Sequence, residues 1–163
     1  VDADLRSSAG DDPSGLPTPG LVDVLVGTAS PDDAVRHTDG PDLLPAGGTV
    51  DDPAELLSDA RFAALMVSMR ERYDVVLVDT PPLVPAVDAA IVARHADGVV
   101  LLCRDGGTTL VQLRSAVSTL HEFGGRIVGA VLTMSDAALR AQPAGSRRPE
   151  DAASRAERVA DPV

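Results

Sequence analysis

An α/β architecture is what this sequence predicts: a doubly wound, mainly parallel sheet with helices on both faces. Three observations predict it. Residues 75–78 (VVLV) are four consecutive apolar residues without alternation, the pattern of a parallel strand buried on both faces. Residues 99–103 and 127–132 are two further apolar runs of strand length. Segments of helical periodicity separate these runs, and strands that alternate with helices are joined by crossovers that make them parallel. At 163 residues the chain is one domain by length, enough to bury a real core.

Taken in order, the opening VDADLR (residues 1–6) reads as the end of a strand whose start precedes residue 1. Residues 11–19 form a Gly/Pro/Asp/Ser loop. Leu21, Val22, Val24 and Leu25 predict a short helix closed by Gly27. Ser30 is the next N-cap, with Pro31 first in the helix and Asp32 and Asp33 at its positive end. That helix is expected to end near residues 37–40. DLLPA (residues 42–46) predicts a short strand, stopped by Pro45 and the Gly47-Gly48 pair. Asp52 caps another helix, with Pro53 first and Glu55 in capping-box position. Beyond it Phe62, Leu65, Met66, Met69 and Tyr73 fall on one helical face.

After the strand at 75–78, Pro81 and Pro82 lack the N–H a strand needs, so it must stop there. Residues 85–96 predict a helix that buries Ile91 and Val92, and Asp97-Gly98 turns it into the strand at 99–103. A Gly-rich loop at 104–108 follows. Leu110, Leu113, Val117 and Leu120 then mark a helix ended by Gly124-Gly125, and 127–132 is the last strand. From Ser135 on, the composition is Ala, Arg, Asp, Pro and Glu with almost no large apolar residue. Such a segment cannot offset its ordering entropy. The expected organisation is a folded region at 1–133 and a disordered tail at 134–163, with a transient helix around 151–159.

Composition excludes several functions. With 25 acidic against 14 basic residues and a formal net charge of −11, the chain lacks the cationic face that nucleic-acid binding needs. All the basic residues are arginine, so the lysine of a phosphate-binding P-loop is not available. One cysteine, Cys103, rules out an internal disulfide and a cysteine-built zinc site, and suits a reducing cytosol. No apolar run reaches membrane-spanning length, and no signal peptide is seen. His37, His95 and His121 lack metal-ligand spacing and read as surface residues.

The residues that could carry chemistry are acidic. The proline stop puts Asp79 at the carboxyl end of its strand, where open α/β sheets bind ligands. Asp2 and Asp4 end the first strand. If both strands are central and parallel, the three carboxylates project from one sheet edge, and such sets arrange Mg²⁺ and its waters around a nucleotide's phosphates. The plainer alternatives are a strand-ending aspartate that caps its turn and a solvated Asp2–Asp4 turn.

VDADLR resembles the Walker A′ motif, and YDVVLVDTPP (residues 73–82) the Walker B motif, of bacterial tyrosine kinases of the CpsD/CapB type. The likeness continues in family order through GLVDVLVG (20–27), LLPAGG (43–48), DPAELL (52–57), DAAIVARHADGVVLLCR (88–104) and IVGAVLT (127–133). It covers about residues 1–133. The resemblance implies a P-loop NTPase-like fold, incomplete here because the family's Walker A loop and ring-packing helix precede the first matched motif. It implies Mg²⁺ and ATP as cofactors and transfer of the γ-phosphoryl group to tyrosine, in control of capsular and exopolysaccharide synthesis and export. By the same resemblance Asp2 matches a metal-side aspartate and proposed base, Asp4 and Asp79 the metal-holding aspartates, and Arg6 the motif arginine. Arg104 matches a basic residue near the nucleotide, and Thr133 stands where an asparagine commonly meets the base.

Family members end in several tyrosines, whereas Tyr73 is the only tyrosine here and reads as structural. Implied partners are further copies in the complete protein and a membrane polysaccharide co-polymerase, fused or separate, at the cytoplasmic face of the membrane; no nucleic-acid partner is expected. Without a P-loop lysine the chain is expected to be inactive alone. The alternatives are a non-catalytic adaptor or regulator of polysaccharide export with the same fold, and a ParA/MinD-like ATPase fragment.

Overall fold

The computed structural model describes residues 1–6, 19–84 and 86–135. In chain order the elements are α1 (Leu21–Val26), α2 (Pro31–Ala34), α3 (Pro53–Ser58), α4 (Ala60–Arg72), α5 (Asp88–Ala93), β1 (Val99–Arg104), α6 (Leu110–Glu122) and β2 (Ile127–Thr133). The chain separates into two units, Val1–Thr133 and Met134–Val163, and the elements belong to the first. All but the first two residues of the predicted tail, with its transient helix, and nearly all of the loop at 11–19, lie outside the described residues.

Two parallel pairings organise the unit. β1 and β2 are parallel neighbours, with Val99 opposite Ile127 and Arg104 opposite Thr133. The other pairing is built from residues that form no regular strand. Asp2 and Asp79 make an isolated parallel bridge, held where the Asp79 N–H donates to Val1 O at 2.9 Å and the Ala3 N–H to Asp79 O at 2.8 Å. On the other side of the opening segment, the Asp2 N–H donates to Leu44 O at 2.8 Å. The segment predicted as a strand at 42–46 contributes this contact and one antiparallel bridge, Leu43 with Arg36.

Local chemistry sets the helix ends. Ser30 accepts from the Asp33 N–H and Asp52 from the Glu55 N–H, with Pro31 and Pro53 at the first helical positions, as predicted. Gly27 closes α1 with φ of 86°. The first amides of α1 are satisfied by the PAGG segment: the Leu21 N–H donates to Pro45 O at 2.7 Å and the Val22 N–H to Ala46 O at 2.9 Å. That approach is so close that a Cβ on Gly20 would sit 2.5 Å from Pro45 O. Two ends differ from expectation. α2 stops at Ala34 because Val35 is extended and Arg36 turns to pair with Leu43. The helix predicted beyond Asp52 is two helices, because Asp59 is extended and its carboxylate starts α4 by accepting from the Arg61 N–H at 2.8 Å.

One core gathers Ala3, Leu5, Leu21, Leu25, Leu57, Phe62, Leu65, Met69, Ile91 and Val92, with Val76 and Val78 half-buried against it. A second gathers Ala93, Leu101 and Leu120 with Val99, Leu113, Val117 and Ile127. α5 serves both, giving Ile91 and Val92 to the first and Ala93 to the second. The run at 75–78 departs from the prediction of burial on both faces. Val75 and Leu77 are 74% and 79% exposed, and on β1 Val100 and Leu102 are exposed as well. Side chains alternate across a strand, and the cores above take only the even-numbered set at 76 and 78 and the odd-numbered set at 99 and 101. Among the described residues no helix is long and apolar enough to cross a membrane.

Tyr73 ends α4. Its hydroxyl donates to Asp42 Oδ2 at 2.8 Å, and His37 Nδ1 lies 2.9 Å from the same oxygen. The Tyr73 hydroxyl, and after it His37, hold the Asp42 carboxyl below its ordinary range.

Phe62→Ala, at a wholly buried position, is expected to cost about 3–5 kcal/mol by urea unfolding, whereas Leu77→Ser should stay within about 0.5 kcal/mol. Because the folded-state value of Asp42 lies below the unfolded one, its contribution is complete above the unfolded carboxylate range, about 3.9. It is lost as pH falls through the folded value. Urea midpoints followed into acid should therefore fall less steeply for Asp42→Asn than for the wild type.

Candidate functional site

The site is built on the bridge between the opening segment and the segment that ends at the proline pair. The main chain pairs Asp2 with Asp79 at the carboxyl ends of two parallel segments, so neither carboxylate is needed to hold the pairing. Asp2 is half-buried and Asp79 exposed. The Asp79 carboxylate accepts from the Thr80 N–H at 3.1 Å, where Pro81 and Pro82 end the segment.

Beyond the bridge the chain turns, and each acid braces the residue two positions on. Asp2 Oδ1 accepts from the Asp4 N–H at 3.0 Å, and Asp4 Oδ1 from the Arg6 N–H at 3.2 Å. The Arg6 side chain leaves the turn for α5. Its Nε lies 2.5 Å from Asp88 Oδ2 and its Nη2 2.9 Å from Asp88 Oδ1. Hydrogen bonding to Asp88 raises the Arg6 guanidinium above its ordinary value. Asp88 is wholly buried, and among the described residues it is the one buried charged side chain.

The structure thus brings Asp2, Asp4, Arg6 and Asp79 into one neighbourhood. Arg104 and Thr133 form a separate pair, the last rung of the β1–β2 ladder. The Arg104 N–H donates to Thr108 Oγ1 at 2.9 Å, and the Thr133 hydroxyl to Cys103 O at 3.4 Å. Among the described residues no three acid, histidine or cysteine side chains stand close enough to hold a metal ion by themselves. Sequence reasoning gave Asp88 no part in the site. Its one signal was an aspartate opening an otherwise apolar helix, DAAIVA, a position that ordinarily marks only the positive helix end.

No family model matches the chain. It is 36% identical over 115 residues to a protein named tyrosine-protein kinase wzc of Salmonella typhimurium, an alignment covering 69% of this chain and 16% of that protein. It is 31% identical over 136 residues to tyrosine-protein kinase CpsD of Streptococcus agalactiae, covering 81% of this chain and 59% of that one. The solved kinase domain of the Escherichia coli tyrosine kinase ETK superposes with a TM-score of 0.75 at 31% identity, over 80% of this chain and 52% of that one. The chain therefore spans under two thirds of each of these proteins.

Because the bridge is a main-chain pairing and Asp79 is exposed, Asp79→Asn is expected to leave the far-UV circular dichroism spectrum unchanged. Its urea midpoint should shift by no more than about 0.5 kcal/mol in stability.

Proposed function

From the family to which this chain belongs, the bacterial tyrosine kinases, we propose that it carries the carboxylate side of a Mg–ATP phosphoryl-transfer centre. The complete protein would be a tyrosine autokinase acting in capsular or exopolysaccharide synthesis and export. The observation that carries the reading is the bridge of Asp2 to Asp79 with Asp4 one turn beyond. Carboxylate oxygens are the hard donors Mg²⁺ takes, and Mg²⁺ commonly uses only one or two from the protein, with phosphate and water oxygens completing its shell. The acids here suit that arrangement rather than an all-protein cage. When bound, the metal would neutralise charge developing on the transferred phosphoryl group.

In this reading Asp4 and Asp79 hold the metal, and Asp2 stands beside them to take the proton of the attacking hydroxyl. Arg104 and Thr133, ending the second ladder, face the rest of the nucleotide. The lysine that would reach the β- and γ-phosphates must come from polypeptide outside these residues, so the chain alone does not turn over. Its setting is an assembly of several copies working with a membrane polysaccharide co-polymerase at the cytoplasmic face of the membrane. The second reading, a non-catalytic adaptor of the same fold, draws on the absence of lysine and on a lone tyrosine whose hydroxyl is engaged by Asp42.

Two measurements test this. Electron paramagnetic resonance titration with Mn²⁺ should show binding to the chain that weakens on the order of 10-fold or more in Asp79→Asn; equal binding by both would overturn the reading. Incubation with Mg–ATP should release no phosphate above the blank. Steady hydrolysis abolished by Asp79→Asn would overturn the predicted inactivity.

A further inference from the structure

We infer that Asp88 is a positioning residue: acting through Arg6, it holds the end of the turn at residues 4–6, and with it Asp4, in place next to the Asp2–Asp79 bridge. What those acids do rests on the reading above; the contact that holds them does not.

Inside the turn the bonds are weak. Each is a side-chain oxygen accepting from the amide two residues on, a local arrangement that readily exchanges with water or other turn conformations. Leu5 is buried in the larger core and its carbonyl accepts from the Val50 N–H at 3.3 Å, which fixes the middle of the turn; the two local links, Asp2 to Asp4 and Asp4 to Arg6, do not by themselves fix the residues that follow it. Arg6 ends the series, and its guanidinium meets Asp88 through two roughly parallel N–H···O bonds of 2.5 and 2.9 Å. That fork constrains orientation as well as distance.

The far end of the clamp is anchored. Asp88 opens α5, whose next residues Ala89, Ala90, Ile91, Val92 and Ala93 are all buried, so the carboxylate cannot follow a moving loop. The contact spans 82 positions in sequence and ties the turn to the helix after the proline pair. A wholly buried carboxylate is tolerable only when paired, and Arg6 is its partner. The converse is that the Arg6 charge is already met. Through Nε and Nη2, Arg6 is therefore a brace for the turn that carries Asp4.

The test compares the full chain with Asp88→Asn and with the double variant Arg6→Gln/Asp88→Asn. It reads amide hydrogen exchange by NMR, urea stability and Mn²⁺ affinity. Asp88→Asn should speed exchange at Asp4 and Arg6 by at least about fivefold while leaving the bridge amides of Ala3 and Asp79 unchanged, as a local opening does. The double variant leaves no unpaired charge. It should regain much of the wild-type urea midpoint yet keep the fast exchange at Asp4 and Arg6 and a reduced Mn²⁺ affinity. Exchange at Asp4 and Arg6 as slow in the double variant as in the wild type would overturn the inference, as would equal acceleration at all four amides in Asp88→Asn. If that single variant does not fold, the double variant decides alone. A wild-type chain that binds no Mn²⁺ would sink the functional reading, while the exchange result would still decide the role of Asp88.

Discussion

The parallel pairing of residues 1–3 with residues 77–79 is the constraint on which the rest of this structure depends. It joins the first residues of the chain to a segment more than seventy positions later, using only backbone donors and acceptors. Its side chains divide by position. Ala3 and Val78 face the larger core, while Asp2 and Asp79 remain at the end of the pairing. Main-chain bonds carry the architecture, which frees two neighbouring side chains to be acids.

The second support is α5, a helix of six residues that is buried along its whole length. Such a helix owes its stability to packing, since isolated helices of that length do not persist in water. It gives apolar side chains to both cores and carries the one buried charged side chain among the described residues. The two parallel pairings are therefore referred to a common element, and the turn bearing Asp4 and Arg6 is referred to it as well. The turn at the rim and the cohesion of the interior meet at Asp88.

Much of this was legible in the residues because it depends on neighbours in sequence. Ser30 with Pro31 and Asp52 with Pro53 announce helix starts through local hydrogen bonding and a preset φ, and the stripe of Phe62, Leu65, Met66 and Met69 names its own buried face. The adjacency of Asp2 and Asp79 followed from two local stops and the rule that alternating strands and helices run parallel. What could not be read depends on neighbours in space. Asp59 breaks a helix whose apolar period continues across it, because an extended aspartate that caps the next turn competes with continuation. Val75 and Leu77 are as apolar as Val76 and Val78, and nothing in VVLV says that only one of its sides meets a packed layer. Nor does any spacing reveal that the aspartate opening DAAIVA is fully enclosed, with an arginine from residue 6 reaching it.

Val75, Leu77, Val100 and Leu102 are aliphatic side chains left in water, on a molecule that carries a net charge of −11. Two such molecules are drawn together by the first property and driven apart by the second. At low ionic strength the repulsion reaches tens of ångströms, and at molar salt only about 3 Å. Colloidal behaviour is then expected to hinge on electrolyte: the isolated polypeptide should stay dispersed in dilute buffer and self-associate as salt is raised, the reverse of a protein held together by surface ion pairs.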